Sequence, residues 1–232
     1  KSLNEQLDFL REKLAEYLKT QTTTNKIQGF IDAVNENVDE EDVAISERQK
    51  MSHMLKKVDE TMFLNFNYTS TVHNYKSYPQ AMHILKFNFI HGSLDNQNEM
   101  IFGYGDEMDK DFQDLIDRNE NELLKNSKSI KYLETSHYRQ LLEFIEGSPF
   151  QVYIMGHSCG NSDRTLLNTI FEHENCISIK PFCYINEKDE DNYSELTRNI
   201  YRNFSDKKLF RDRVVNKERC TTLDGRPLIN KE

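Results

Sequence analysis

The sequence predicts an α/β fold in which helices flank a mostly parallel sheet. Several apolar runs typical of strands are separated by stretches whose apolar residues follow helical spacing. Strands that alternate with helices in this way form βαβ units, and the strands of such units are parallel. The length of 232 residues is enough for one domain with a sizeable core, or for one domain plus a helical appendage.

Residues 1–60 are predicted to form a helical segment that packs on the core. On its first helix, one apolar stripe has members alternately four and three residues apart, namely Leu3, Leu7, Leu10, Leu14 and Tyr17. A stripe of about two heptads is short for a coiled-coil dimer, so packing within the domain is favoured. A second helix is predicted at 27–34, and a third on the apolar residues Met51, Met54, Leu55 and Val58.

The first two strands are predicted at 61–67 and 83–90, each an apolar run that ends in polar residues. A helical turn is expected between them, with Thr69 or Ser70 as its N-cap residue. Pro79 is expected to end that connection.

A strand–turn–helix unit at 151–173 is the centre of the predicted fold. An apolar strand at 152–155 breaks at Gly156 into a compact polar turn, which leads into a helix. In α/β folds such a turn lies at the carboxyl end of the sheet, where the free N–H groups of the helix start face a ligand.

The remaining elements complete the expected domain organisation. Residues 107–146 are predicted as a helical insertion, and Pro181 marks the β-rich run 176–186 as an edge strand or a kinked one. A closing helix then completes a core of residues 61–204. Residues 205–232 are charged and contain Gly and Pro, so a helix followed by a partly disordered tail is expected.

The composition excludes several classes of protein. The net charge is −9 and no block of basic residues stands out, which disfavours nucleic-acid binding. Four cysteines without CxxC spacing indicate reduced thiols in a cytoplasmic protein. No apolar run approaches the roughly 20 residues of a membrane span, and no signal-like start or metal-ligand motif occurs.

One interpretation of the central turn is hydrolytic. Gly156, Ser158 and Gly160 fit the G-x-S-x-G pattern between a strand and a helix, which is the context of a nucleophile elbow. The expected chain order is serine, acid, histidine, yet the only later histidine is His173, in the helix that begins there. Cys159 is interpreted as a small buried thiol.

A second interpretation is nucleotide binding, and it is favoured. Asn67 at a strand end can bind a ribose hydroxyl or orient a water, although a turn-capping role is equally compatible with its position. His91 can act as a general base near neutral pH, whereas a lone histidine at a strand end is more often structural. Asp163 is either a ligand contact or a residue that the helix dipole stabilises.

Four motifs together resemble the AbiH family of bacteriophage abortive infection proteins: FNYTST (66–71), FIHGSLD (89–95), IFGYGDE (101–107) and YIMGHSCGNSDRTLLNTIFEH (153–173). AbiH proteins in turn are similar to sirtuin-type NAD-binding domains. This resemblance implies a Rossmann-like fold, NAD as substrate, and Asn67 and His91 as catalytic residues. The implied nucleotide-binding residues are Tyr68, Thr69, Gly92, Gly156, His157, Ser158, Asp163 and Asn186.

Two departures from the family pattern modify this expectation. AbiH proteins usually open with a strand and a Gly-Asn-Gly-Phe-Asp-Leu-like loop that would hold phosphates. No such loop occurs here, so the given chain is expected to start after it. Sirtuin-like sequences often carry Asp at the position of Thr69, which favours an NAD glycohydrolase over a deacetylase.

Two alternatives of other classes stay open. One is the serine hydrolase that uses Ser158. The other is a non-enzymatic sensor or scaffold that binds a phage component through the helices of 1–60 or the polar segment 107–135. A nucleotide and a phage trigger are the expected partners, and a homo-oligomer is compatible with the sequence.

Overall fold

The computed structural model describes residues 2–21, 26–51, 58–77 and 83–229, with no description of the side chains of 49–51. Three residues with predicted roles, Met54 and Leu55 of the third helix and Pro79, lie outside these ranges. The described helices are α1 (Leu3–Lys19), α2 (Gln28–Asn35), α3 (Ile45–Met51), α4 (Lys110–Asp117), α5 (Asn121–Leu124), α6 (Lys128–Lys131), α7 (His137–Gly147), α8 (Arg164–Phe171), α9 (Tyr193–Arg202) and α10 (Lys207–Arg213).

Among the described residues, four strands form two parallel pairs. Strand β1 (Glu60–Asn65) pairs with β2 (Ile84–Phe89), and β3 (Phe150–Met155) pairs with β4 (Cys176–Phe182). The parallel pairing confirms the predicted α/β class. The predicted single Rossmann-like sheet is not what the described residues form, because no ladder joins β1 to β3.

The two strand pairs nevertheless pack against the same hydrophobic core. Met62 and Leu64 of β1 and Val152 and Ile154 of β3 all pack on one core, which α7 and α8 also enter. Strand side chains alternate between faces, so the intervening residues point the other way. There Phe63 stacks on Tyr75, with 6.3 Å between the ring centroids.

The same opposite face in β3 carries Tyr153, whose hydroxyl lies 3.1 Å from the Glu36 carboxylate at the end of α2. Helices α7 and α8 therefore cover one face of both pairs, and α2 lies on the other face. This arrangement has the three layers expected of an α/β domain.

Helix α1 packs on the domain with only part of its apolar stripe. Its start is fixed by a capping box between Ser2 and Glu5. Leu3, Leu10 and Tyr17 are exposed by 69, 53 and 59%. The predicted packing of the whole stripe is therefore wrong for these three residues, because the contact face of α1 is the adjoining line that includes buried Ala15.

The structure contains the helical turn predicted after Thr69 and the strand predicted around Pro181. A 3-10 turn, Ser70–Tyr75, follows Thr69, whose side chain makes no capping hydrogen bond. Pro181 lies in β4, which forms a ladder with β3 on one side and is therefore an edge strand of its pair, as predicted. Isolated bridges from β4 residue Ile179 to Val214 and from Cys183 to Thr222 flank it.

The chain after 205 folds back on the domain. Asp206 is the N-cap residue of helix α10, and its carboxylate accepts from the N–H groups of Lys208 and Leu209. Val215 and Cys220 are buried, and the Val215 N–H donates to the Ile179 carbonyl over 3.0 Å. Helix α10 is the helix expected in this segment, and the described residues after it, 214–229, pack on the domain where a partly disordered tail was expected, because apolar residues among the charges enter the core.

The described residues bear on two inferences from composition, the state of the cysteines and the presence of a membrane span. Within these residues all four cysteines are buried and free of disulfides. No helix there combines the length and the apolar character that crossing a bilayer requires.

Candidate functional site

Three strand ends converge on one cluster of titratable side chains. His91 follows β2, His157 and Asp163 lie in the turn after β3, and the Phe66 ring follows β1. Phe66 contacts both imidazoles, with ring centroids 5.4 Å from His91 and 4.1 Å from His157. Because β1, β2 and β3 end at the same edge, residues far apart in sequence meet there.

Asp163 is the centre of this cluster. Its Oδ1 lies 3.1 Å from His91 Nε2 and 2.6 Å from Lys128 Nζ. Its Oδ2 accepts from the Ser162 hydroxyl over 3.1 Å and lies 3.7 Å from His157 Nε2. We call Asp163, His91, His157, Lys128 and the adjacent Tyr132 the Asp163 cluster.

The protonation states within the cluster follow from burial and from these partners. Burial alone would raise the pKa of Asp163, but the hydrogen bonds from His157 and His91 and the charge of Lys128 hold it well below its usual range. Burial lowers the pKa of His91, and the hydrogen bond to Asp163 only partly opposes this shift. At neutral pH the carboxylate is ionised and His91 is neutral.

The two imidazoles differ in access. His91 is only 5% exposed and lies 3.2 Å from the Tyr132 hydroxyl. His157 borders a groove, and its Nδ1 accepts from the Cys159 N–H over 3.1 Å. In a neutral ring the proton of His157 therefore sits on Nε2, which faces Asp163.

A groove of about 640 Å³ runs between β1 and β3. Most of its lining is apolar and comes from both strands and the helices above and below them. Its end at the carboxyl edge of the strands is polar, and we call the residues Asn67, Thr69, Gly156 and His157 the polar end.

Asn67 has the exposure that a ligand contact requires. Asn65, and not Asn67, shapes the turn, since its amide donates to the carbonyls of Asn67 and Thr69 and its Oδ1 accepts from the Asn67 N–H. Among the described residues no partner binds the Asn67 side chain, which is exposed beside the groove. The turn-capping alternative for Asn67 is therefore wrong, because Asn65 takes that role.

The central turn differs from a nucleophile elbow. Cys159, and not Ser158, has the left-handed backbone, with φ of 53°. Ser158 is exposed, and no histidine among the described residues lies within hydrogen-bonding distance of its hydroxyl. Burial raises the pKa of Cys159 to about 12, so the interpretation of Cys159 as a small buried thiol is confirmed.

The other predicted binding residues have varied positions. Tyr68 lies beside the cluster and donates to the Ile101 carbonyl over 2.7 Å, and its pKa is raised to about 12 by burial and by the Asp163 charge. Gly92 holds a loop against Glu99. Asn186 closes a turn by accepting from the N–H groups of Lys188 and Glu190, and it does not line the groove.

A family model described as bacteriophage abortive infection AbiH matches residues 3–184, more than three quarters of the chain. The chain belongs to the AbiH family. Neither the curated proteins nor the solved structures yielded a match. The further similarity to sirtuin-type domains stays a prediction.

The AbiH match includes all four described strands, and so it includes the whole Asp163 cluster. Two members of that cluster were not predicted from the sequence, Lys128 and Tyr132. Both come from the helical insertion, where they resemble ordinary surface and core residues. No group of histidine, cysteine and acidic side chains suited to a metal ion occurs in the described part of this AbiH chain.

Proposed function

We propose that this AbiH protein acts in abortive infection by binding NAD, or a related nucleotide, at the polar end and hydrolysing its N-glycosidic bond. The observation that carries the proposal is the ionised Asp163 beneath the carboxyl edge of three strands. An open groove end with amide, hydroxyl and imidazole groups lies next to it.

The polar end offers groups suited to a nucleotide. The Asn67 amide can bind a ribose hydroxyl or hold the attacking water. A side chain at Gly156 would have no neighbour within 4 Å, so a sugar or phosphate has space to approach the backbone there. The rings of Phe66 and His157 provide apolar surface for a planar base.

The proposed reaction breaks the bond between the ribose C1′ and the nicotinamide nitrogen, and the electron pair leaves with nicotinamide. The positive charge that develops at C1′ is stabilised by the fixed Asp163 carboxylate. A water positioned by Asn67 then bonds to C1′. Its proton passes to His91, which is neutral and can accept it once the Phe66 ring turns aside.

This proposal is tested with purified protein and NAD. Nicotinamide release is expected from the unmodified protein. His91→Gln should slow it about 10²–10⁴-fold, the usual contribution of a general base. Asn67→Ala should slow it about 10²–10³-fold, the usual loss for one positioned polar group. Asn121→Ala, at an exposed amide of α5, is the matched control and should leave the rate unchanged.

The same variants are compared in bacteria that express the full-length protein during phage challenge. Collapse of cellular NAD in the parent and in Asn121→Ala, but not in the other two variants, would support the proposal. Protection against phage with an intact NAD pool would contradict it. A Ser158→Ala variant that loses protection under those conditions would then favour the serine hydrolase.

A binding function is the second candidate, and the exposed part of α1 favours it. Leu3, Leu10 and Tyr17 are seven residues apart on one line of the helix, and Leu133 near α6 is exposed by 81%. Exposed apolar side chains in a row are typical of protein contacts. Replacing the three α1 residues by Ser should abolish protection if this surface senses a phage component, with in vitro NAD hydrolysis unchanged.

A further inference from the structure

Two asparagines of α9 hold the turn that follows β3. Asn199 lies within α9 and Asn203 is its C-cap residue, so the two side chains, four residues apart, lie on one face of the helix. The Asn203 amide donates to the Cys159 carbonyl, and the Asn199 amide donates to the Ser158 carbonyl, each over 2.9 Å. Two consecutive carbonyls of the turn are therefore bound to one face of α9. We call Asn199 and Asn203 the asparagine pair.

Neighbouring groups fix the orientation of both amides. The Asn203 Nδ2 donates to the Asn199 carbonyl over 2.8 Å as well as to Cys159, and only the nitrogen end of an amide can serve two carbonyls. Arg202 Nη1 donates to Asn199 Oδ1 over 2.6 Å, which leaves the Asn199 Nδ2 facing the turn. Both side chains therefore act on the turn as donors.

Cys159 is the residue that these bonds constrain. Its φ of 53° is left-handed, a conformation that a residue with a Cβ keeps only where its surroundings impose it. The bond from Asn203 holds the Cys159 carbonyl, and the Cys159 N–H donates to His157 Nδ1 over 3.1 Å. The backbone that the asparagine pair holds is thus the backbone that contacts the imidazole.

The hydrogen bond to Nδ1 determines which group His157 presents to Asp163. A ring nitrogen that accepts a hydrogen bond carries no proton in the neutral form, so the proton is on Nε2, which lies 3.7 Å from Asp163 Oδ2. In the other tautomer, Nε2 would direct a lone pair at the ionised carboxylate. The backbone of Cys159 therefore keeps His157 a donor towards the Asp163 cluster.

The surroundings of Asn203 argue against a role in stability alone. The side chain is 0% exposed, and no group among the described residues binds its Oδ1. A buried acceptor without a partner costs free energy, and an apolar side chain of similar size would avoid that cost. What an asparagine provides here is the pair of bonds donated by Nδ2, one of which holds Cys159.

We propose that the asparagine pair positions the candidate site: it holds Cys159 in its left-handed conformation and thereby selects the Nε2–H tautomer of His157. Asn199 and Asn203 are positioning residues that act through the turn, and in the described part of the chain neither lines the groove. The use of His157 in catalysis rests on the proposed function, whereas its tautomer exists without NAD.

The tautomer is measured by long-range ¹H–¹⁵N correlation of the histidine rings in the labelled full chain, without NAD. A spectrum of His157→Gln identifies the resonances of His157. In the unmodified protein its two ring nitrogens should have the well-separated shifts of a single tautomer. Asn203→Leu should lower the ratio of the Nε2–H to the Nδ1–H tautomer about fivefold or more, the equivalent of one ordinary hydrogen bond. Asn199→Ala should change the ratio in the same direction.

Asn175→Leu is the matched control. Asn175 also donates through Nδ2 to two carbonyls, those of Ile145 and Glu146, but it lies at the amino ends of β3 and β4, away from the turn. This variant should unfold at a lower urea concentration and leave the His157 shifts unchanged. Asn199→Ala decides the outcome if Asn203→Leu does not fold, since Asn199 is less buried.

Two results would overturn the proposal. One is an unchanged tautomer ratio in either folded variant of the asparagine pair. The other is an equal change in Asn175→Leu, which would show a general loosening of the domain. Nicotinamide release is measured separately, so an inactive protein with the expected tautomers would contradict the proposed hydrolysis and leave the positioning role supported.

Discussion

Asp163 joins three distant parts of the chain through one carboxylate. His91 follows β2, Lys128 begins α6, and His157 is in the same turn as Asp163. Lys128 and Asp163 are both almost completely buried and lie 2.6 Å apart. A buried charge is stable only with a partner, so the two residues depend on one another.

Lys128→Ala should therefore lower the free energy of unfolding by about 3–5 kcal/mol, the usual cost of leaving one partner of a buried ion pair alone. Lys131→Ala, one turn further along α6, is the matched control. Lys131 pairs with Glu134 at the surface, so its removal should cost at most about 1 kcal/mol. Urea unfolding followed by circular dichroism measures both.

Equal effects of the two lysine variants would contradict the assignment of Lys128 as the buried counterion. A Lys128→Ala, Asp163→Asn double variant sharpens the comparison. Removing both charges should recover part of the lost stability, because no unpaired charge then remains buried.

The sequence predicts those residues of the site that local sequence patterns identify. His91 and Asp163 each follow an apolar strand-like run, and that position alone indicated the carboxyl edge of a sheet. Lys128 and Tyr132 could not be predicted, because they enter the cluster from an insertion that lies 35 or more residues from their contacts in sequence. That Asn65 and not Asn67 caps the turn depends on turn geometry, which both residues fit equally well on the sequence.

At the scale of elements, the turns after β2 and β3 have the same backbone signature in different surroundings. Gly92 has φ of 77° and Gly156 has φ of 76°. A Cβ at Gly92 would lie 2.2 Å from the Glu99 carbonyl oxygen, whereas a Cβ at Gly156 would have no neighbour within 4 Å. The first glycine permits close packing of a loop, and the second leaves the groove end open.

Replacing each glycine by alanine should distinguish the close packing at Gly92 from the open space at Gly156. Gly156→Ala should cost only the strain of a left-handed residue, about 1–2 kcal/mol. Gly92→Ala adds a backbone clash, so a loss of about 3 kcal/mol or more is expected. Thermal unfolding measures both. Equal losses would mean that the loop against Glu99 moves freely, contrary to the contact described.

The strands and the long helices were largely predictable because each has its own hydrophobic period. The division of the sheet into two pairs was not, since apolar runs at 61–67 and 152–155 look the same whether or not a neighbour lies between them. Residues 214–229 were expected to form a partly disordered tail because the C-terminal segment is rich in charged residues.

At the scale of the whole molecule, the C-terminal segment joins the N-terminal helices to β4. Asp212 of α10 accepts from the N–H groups of Ile45 and Ser46 at the start of α3. The Ala44 N–H donates to the Ile177 carbonyl of β4 over 2.8 Å. Contacts across such separations in sequence require the complete fold, and local periodicity does not reveal them.

The centre of this connection is Asp42, which is 5% exposed and has two cationic partners. Lys180 Nζ of β4 lies 2.8 Å from Asp42, and Arg219 Nε lies 2.6 Å from it. Arg219 also pairs with Asp39 and Glu41, so it holds the acidic connector after α2 against the C-terminal segment. A networked guanidinium of this kind contributes more than an isolated surface pair.

Arg219→Ala should accordingly lower the free energy of unfolding by about 1.5–3 kcal/mol, the range for hydrogen bonds to charged groups. Arg226→Ala is the matched control in the same segment, because within the described ranges Arg226 forms its ion pair with exposed Asp189 and should contribute at most about 1 kcal/mol. Amide hydrogen exchange would show which segments of the Arg219→Ala variant lose stability. Faster exchange in both 39–44 and 215–222 is expected, since Arg219 ties these segments together. Faster exchange in 215–222 alone would show that the connector is held by Lys180 without Arg219.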